Sequence, residues 1–196
     1  MIAGKILLSI VIAYLFGSLP TGVLISRKFW NCDIRDLGDG NTGARNVTHV
    51  LGWYAGFLVG LVDFAKGAVV VIIAKKLGIS SVNQLLAGIA AVIGHDFPVF
   101  AGFKGGQGMA TSLGSMSVLF TIETFTGLAI FGLLYLFTRH FDLCASAGLG
   151  TLTWLVWRSG RPLIFVLYII VLFASIPFKK FMDFRLRNPK QVQSNN

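Results

Sequence analysis

The sequence predicts an all-α integral membrane protein with about seven transmembrane helices, some short or broken. Three observations carry this expectation. Of 196 residues, 55% are hydrophobic and only 13% are charged, against about 25% charged in an ordinary soluble domain; mean hydropathy is +0.74. The apolar residues come in unbroken runs, ILLSIVIAYLF, GLAIFGLLYLF and PLIFVLYIIVLFASI, not in the two-residue alternation of a barrel strand. Short polar segments rich in glycine and basic residues separate the runs. The same composition excludes disorder. Residues 1–190 are expected to form one polytopic domain, and 191–196 (QVQSNN) a frayed polar tail.

Spans are expected at about 2–25, 52–74, 82–94, 108–121, 124–138, 142–157 and 162–178. The first lacks an A-x-A-like cleavage site and further spans follow it, so it reads as a retained helix and not a signal peptide. The third and fourth are short. They read as half-helices meeting at the polar segment 94–107, which is tolerated only where it is buried or lines a cavity. Five spans is the competing arrangement.

The net charge of +9 and pI near 10.0 would suggest nucleic acid in a soluble domain. Here the basic residues are scattered through an apolar chain, and nucleic acid is set aside. Counted by loop, eleven of the 17 basic residues fall in one set: Arg27, Lys28, Arg35, Arg45, Lys104, Arg139, Lys179, Lys180, Arg185, Arg187 and Lys190. Lys5, Lys75, Lys76, Arg158 and Arg161 form the other, and Lys66 lies within a span. The asymmetry places the N-terminus outside and the C-terminus in the cytoplasm. Cys32 and Cys144 show no CxxC spacing and read as small apolar residues.

Three polar, glycine-rich segments then lie on the cytoplasmic side: GSLPTG (17–22), LGDGNTGARNVTHVLG (37–52) and GHDFPVFAGFKGGQGMAT (94–111). In the third, Gly105, Gly106 and Gly108 stand beside Lys104, just before an expected helix start. Glycine lets backbone N–H groups approach a ligand, a helix N-terminus adds donors, and Lys104 adds a point charge suited to phosphate. The spacing is not Walker A. A plain turn between two helices fits this stretch equally well. In the second segment, Gly38, Gly40 and Gly43 alternate with Asp39, Asn41, Arg45 and Asn46, where Arg45 can grip phosphate through two parallel donors. Asp33, Asp36 and Asp39 lack a recognisable metal-ligand spacing and read as solvated loop charges. His95, at the membrane edge, is a candidate general base or phosphate ligand, against the commoner case of a hydrogen-bonded interfacial histidine. His49 is equally ambiguous, and His140 reads as a loop residue. Asp63 and Lys66, three apart within a span, read as an ion pair facing the site. Tyr14, Trp53, Trp154, Trp157 and Tyr168 read as interface anchors or packing.

In this order and spacing, GSLPTG, GNTGARN, DFAKG (63–67) and GHDFPVFAGFKGGQGMAT resemble the bacterial acyl-phosphate:glycerol-3-phosphate acyltransferase family, the PlsY type, over nearly the whole chain. The resemblance implies a seven-helix enzyme of the bacterial inner membrane with a cytoplasmic-side site. It implies transfer of a fatty acyl group from acyl phosphate to the 1-hydroxyl of glycerol 3-phosphate. Lysophosphatidic acid and inorganic phosphate are the products. No cofactor and no metal are implied. The partners would be acyl phosphate, glycerol 3-phosphate, membrane lipid and, through the donor, the enzyme that forms acyl phosphate.

By the same resemblance, the catalytic candidates are Lys104, His95, Arg45 and Asn46. Ser18, Thr21, Asn41, Gly43, Gly105, Gly106, Gly108 and Thr111 would bind substrate and phosphate, with Asp63 and Lys66 in support. The chain departs from the family's pattern at four places. Asp39 stands for a serine, and His49 for an arginine whose part Arg45 would take. Gln107 stands for a lysine. In FKKFMDFRL (178–186), Lys179 and Met182 stand for a histidine and an asparagine. Asp39 is expected to repel phosphate, and Lys179 to restore charge. Three other readings stay open: acylation of another polyol phosphate, a non-catalytic lipid- or phosphate-binding membrane protein, and a small transporter.

Overall fold

The computed structural model describes residues 2–187, with side chains as far as Arg185; the expected tail 191–196 lies outside them. Among the described residues there are nine helices and no strand. They are α1 (Ile2–Gly17), α2 (Thr21–Trp30), α3 (Ala44–Leu51), α4 (Trp53–Lys76), α5 (Ser81–Asp96), α6 (Met109–Leu119), α7 (Thr121–Thr138), α8 (Phe141–Arg158) and α9 (Leu163–Arg187). Single-turn 3-10 segments occupy Ile34–Asp36 and Val99–Ala101.

Six of the seven expected spans correspond to one helix each, α4 to α9. The first does not. The expected helix 2–25 stops at Gly17, and the chain runs irregularly through Ser18, Leu19 and Pro20 before α2 begins. The cause is local: Pro20 has no N–H to give the helix, and its ring disfavours helical geometry at Leu19. Among the described residues, five stretches are long and apolar enough to cross a membrane. The 11-residue α6 rises only about 16 Å, the length of a half-helix, whereas α5, expected to be its counterpart, belongs to a stretch, Ser81–Ala101, long and apolar enough to cross.

The helices alternate between two ends. At one, Lys5 Nζ donates to the Leu77 carbonyl at 3.3 Å, and Arg161 meets the Leu119 carbonyl at 3.1 Å and Glu123 at 3.3 Å. At the other, Tyr14 Oη donates to the Phe97 carbonyl at 3.1 Å, and Arg35 to the Ala101 carbonyl at 3.3 Å. All three glycine-rich segments gather at this second end, where Arg27, Arg35, Arg45 and Lys104 also lie.

Small residues set the helix spacing. A Cβ at Gly67 of α4 would run into the backbone of Thr111 and Ser115, and one at Gly114 of α6 into the backbone of Phe64 and Ala68. This is the close approach by which helices associate in lipid, where no hydrophobic force drives them together. α1 meets α5 similarly, and α9 lies over α5, α6 and α8. There Leu85, Met116, Phe120, Leu152 and Ile169 form the main core. Tyr168 belongs to that core, its hydroxyl 2.8 Å from Ser115 Oγ, whereas Trp53, Trp154 and Trp157 are exposed. Outward apolar side chains such as Leu7, Phe57, Leu133 and Ile170 are what a lipid-facing surface requires. Cys144 is buried against Thr138, and neither cysteine is in a disulfide.

Candidate active site

The glycine loop is shaped by where α5 stops. Phe97 precedes Pro98, which disfavours helix, and the chain turns through Val99–Ala101. Phe103 N–H bonds back to the Pro98 carbonyl at 2.9 Å and Gly106 N–H to the His95 carbonyl at 3.1 Å. Gly108 closes the loop at φ +69°, a conformation open to glycine. α6 then starts at Met109, its first-turn amides free of helical partners. Gly105, Gly106 and Gly108 are all buried.

Beneath the loop runs a row of polar contacts across four segments. Lys66 Nζ is 2.8 Å from Asp63 Oδ1 and 2.7 Å from the Leu19 carbonyl, in the break between α1 and α2. His95 Nδ1, from α5, is 3.5 Å from the same Asp63 oxygen. The far edge of the imidazole, Nε2, faces Gly106, where a Cβ would collide with it. Asp63 is 1% exposed, Lys66 2% and His95 8%. Such charges inside a membrane domain are costly and persist where they pair and face a polar site. Ser18 and Thr111 are fully buried. Their hydroxyls, with Asn41 Nδ2, Ser112 Oγ and Asp96 Oδ1, have no bonding partner among the described residues.

The second segment is a self-supporting loop. Asn46, expected to be catalytic, is its strut. Its amide donates to the carbonyls of Leu37 (3.0 Å) and Asn41 (2.9 Å), with a longer contact to Ile34 (3.4 Å), and Oδ1 accepts from Asp39 N–H at 3.0 Å. Its hydrogen-bonding capacity is spent on backbone. Asn41 Oδ1 accepts from Gly43 N–H at 2.7 Å. Asp39 is exposed, and its carboxylate accepts from Asn41 N–H at 2.9 Å, so a short polar side chain is needed there for the turn itself. Gly22 lies against the Thr42 carbonyl, which seats the loop on α2 beside the buried Thr21. Asp33, read from the sequence as a solvated charge, is held by Arg27 and Arg35, each at 2.7 Å. The Arg35 guanidinium keeps its carboxyl well below the usual carboxylate range.

The structure therefore brings Ser18, Asp63, Lys66, His95, the glycine loop and Thr111 together. Arg45 sits at the exposed start of α3, its guanidinium 6.0 Å from the centre of the Phe141 ring. Lys104 is exposed on the loop, and its ammonium pairs with no carboxylate among the described residues. His49 and His140 are exposed and away from the row. Two features were missed in the sequence. One is the Asp63–His95 contact, which joins distant segments and leaves no local signal. The other is the burial of Lys179, which is 3% exposed. Lys179 is paired with Asp183 and lies over the Phe97 ring at 5.1 Å. The expectation that Lys179 restores free positive charge is thus corrected, because Asp183, one helical turn on, takes that charge.

A cavity of about 500 Å³ begins at Met109, directly after the loop. Leu113, Leu128, Phe131, Leu149 and Phe173 line it between α6, α7, α8 and α9.

A polytopic helical domain with a buried glycine-rich loop at one end and an apolar cavity among its helices defines an integral membrane protein. Its residues 7–183 match the family described as glycerol-3-phosphate acyltransferase, and the chain belongs to that family. It is 38% identical to the glycerol-3-phosphate acyltransferase of Streptococcus thermophilus over 95% of this chain and 92% of that one. The match to the Enterococcus faecalis protein of the same name is 47% identical. It covers 57% of this chain and spans about half (52%) of that one. Among solved structures, the fold is similar to the glycerol 3-phosphate form of PlsY (YgiH), described as an integral membrane glycerol 3-phosphate acyltransferase. There the TM-score is 0.80, with 34% identity over 94% of this chain and 93% of that one. The lysophosphatidic acid form of PlsY gives a TM-score of 0.77 at 32% identity and the same coverage.

Proposed function

We propose that this chain transfers a fatty acyl group from acyl phosphate to the 1-hydroxyl of glycerol 3-phosphate, releasing lysophosphatidic acid and inorganic phosphate. One observation carries the reading most: Met109, the residue after Gly108 of the buried glycine loop, stands at the border of the apolar cavity. A ligand with a phosphate at one end and an acyl chain at the other fits that border. Family membership supports the same assignment.

In this reading the amides of Gly105 and Gly108, with Lys104, hold the donor phosphate over Gly106, whose own N–H ties the loop to the His95 carbonyl, and Thr111 and His95 line the same space. Arg45 grips the phosphate of glycerol 3-phosphate, with Ser18, Thr21, Asn41 and Gly43 shaping the acceptor side. Asn46 acts indirectly, by holding the loop that presents Arg45 and Asn41. The acceptor oxygen forms a bond to the acyl carbon, and the acyl carbon–phosphate oxygen bond breaks. The electron pair leaves on phosphate, and the acceptor proton passes to a phosphate oxygen. Acyl phosphate is already activated, so alignment and stabilisation of developing charge supply the catalysis. The basic end, with its glycine-rich segments, faces the cytoplasm of a bacterial inner membrane, N-terminus outside. There it would receive acyl phosphate from the enzyme that forms it.

The test is direct. Purified protein with palmitoyl phosphate and glycerol 3-phosphate should release phosphate and lysophosphatidate in equal amounts. No turnover above a detergent blank would sink the assignment.

A further inference from the structure

The Asp63–Lys66 pair is almost wholly buried, and Lys66 forms part of the wall of a second cavity, of about 330 Å³, with Leu19 and Thr21. A buried ion pair is weak evidence for stability, since desolvation offsets most of its attraction. The partners of this one are therefore informative. Lys66 donates to the Leu19 carbonyl and forms an ion pair with Asp63 Oδ1. That anchors the carboxylate to the α1–α2 break. The same carboxylate oxygen faces His95 Nδ1. A carboxylate on Nδ1 fixes both the plane of an imidazole and the nitrogen that carries the proton on that side. The ring then has one free edge. Nε2 looks onto Gly106, where no side chain fits, and no group among the described residues bonds it. The 3.5 Å separation is long for a hydrogen bond, as contacts of this kind often are before substrate tightens them.

We infer that Asp63, anchored by Lys66 to the Leu19 carbonyl, positions the His95 ring against Gly106, so that Nε2 stands at the edge of the loop that holds the donor phosphate. Asp63 and Lys66 are then positioning residues for the donor phosphate, and His95 is its side-chain ligand opposite the loop amides. This rests on the acyl-phosphate reading above. It adds a specific division of labour: Asp63 and His95 govern affinity for the donor, while the Lys66 anchor at Leu19 lies between Ser18 and Thr21 of the acceptor side.

The experiment compares wild type, Asp63→Asn, the double variant Asp63→Asn with Lys66→Met, His95→Ala and His95→Gln. Each is measured for binding of non-hydrolysable hexadecyl phosphonate and for kinetics with palmitoyl phosphate and glycerol 3-phosphate. Asp63→Asn should raise the phosphonate Kd and the donor KM about tenfold or more, the loss expected of one charge-assisted hydrogen bond. The acceptor KM should stay within about twofold. The double variant removes the unpaired buried lysine, so a defect caused only by its burial would recover there; a persistent donor defect supports positioning, and recovery overturns it. His95→Gln, which keeps an N–H at the end of the side chain, should bind phosphonate better than His95→Ala. Equal binding by wild type and Asp63→Asn overturns the inference while leaving the acyltransferase reading intact. A wild type that binds no phosphonate and shows no turnover overturns both.

Discussion

Lys66 Nζ reaches the carbonyl oxygen of Leu19 at 2.7 Å, so the helix break that Pro20 imposes is closed by a side chain from a different helix. Removing the lysine strands Asp63 in the interior. Lys66→Met should lower stability by about 3–5 kcal/mol, the cost of an uncompensated buried charge. Adding Asp63→Asn should restore much of it. Thermal melting in detergent checks both, and equal melting points for the two variants would contradict the argument.

Asn46 is predicted to act through stability. Asn46→Asp removes the donors to the carbonyls of Leu37 and Asn41 and places a carboxylate against them. A loss of about 2–3 kcal/mol is expected, with faster proteolysis in residues 34–46. A variant that melts like wild type but has lost turnover would instead put Asn46 in the chemistry.

Arg45 and Lys104 should separate by substrate. Arg45→Ala is expected to raise the KM for glycerol 3-phosphate about tenfold or more, the worth of a charge-assisted pair, with the donor KM little changed. Lys104→Ala is expected to cut turnover with every donor. Initial-rate measurements varying each substrate separately decide the point.

The cavity should measure the acyl chain. Leu149 and Leu128 face it from α8 and α7, so Leu149→Trp fills part of it. Each methylene denied burial costs about 0.8 kcal/mol, or roughly fourfold in kcat/KM. The variant should therefore lose activity progressively from octanoyl to stearoyl phosphate and keep most of it with the shortest donor. A uniform loss at all lengths would place the chain elsewhere.

Hydropathy made the spans from 52 to 178 legible, because continuous apolar runs have few folding options in lipid. The glycine-rich turn and the helix start at Met109 were legible too, since Gly105, Gly106 and Gly108 have a local meaning there. What escaped reading depends on contacts between distant segments. Apolar residues continue on both sides of the break at Ser18–Pro20, so hydropathy ran straight through it. Asn46 looks the same in sequence whether it points at a ligand or at three carbonyls. The freedom of Lys179's charge depends on Asp183 lying one turn along α9.

The interlocking of Gly67 and Gly114 has a mechanical consequence. Two helices that each occupy the other's backbone groove cannot slide or part by small steps, so the wall made by α4 and α6 behaves as a fixed jaw. Any widening that admits a head group must then come from elsewhere than this wall.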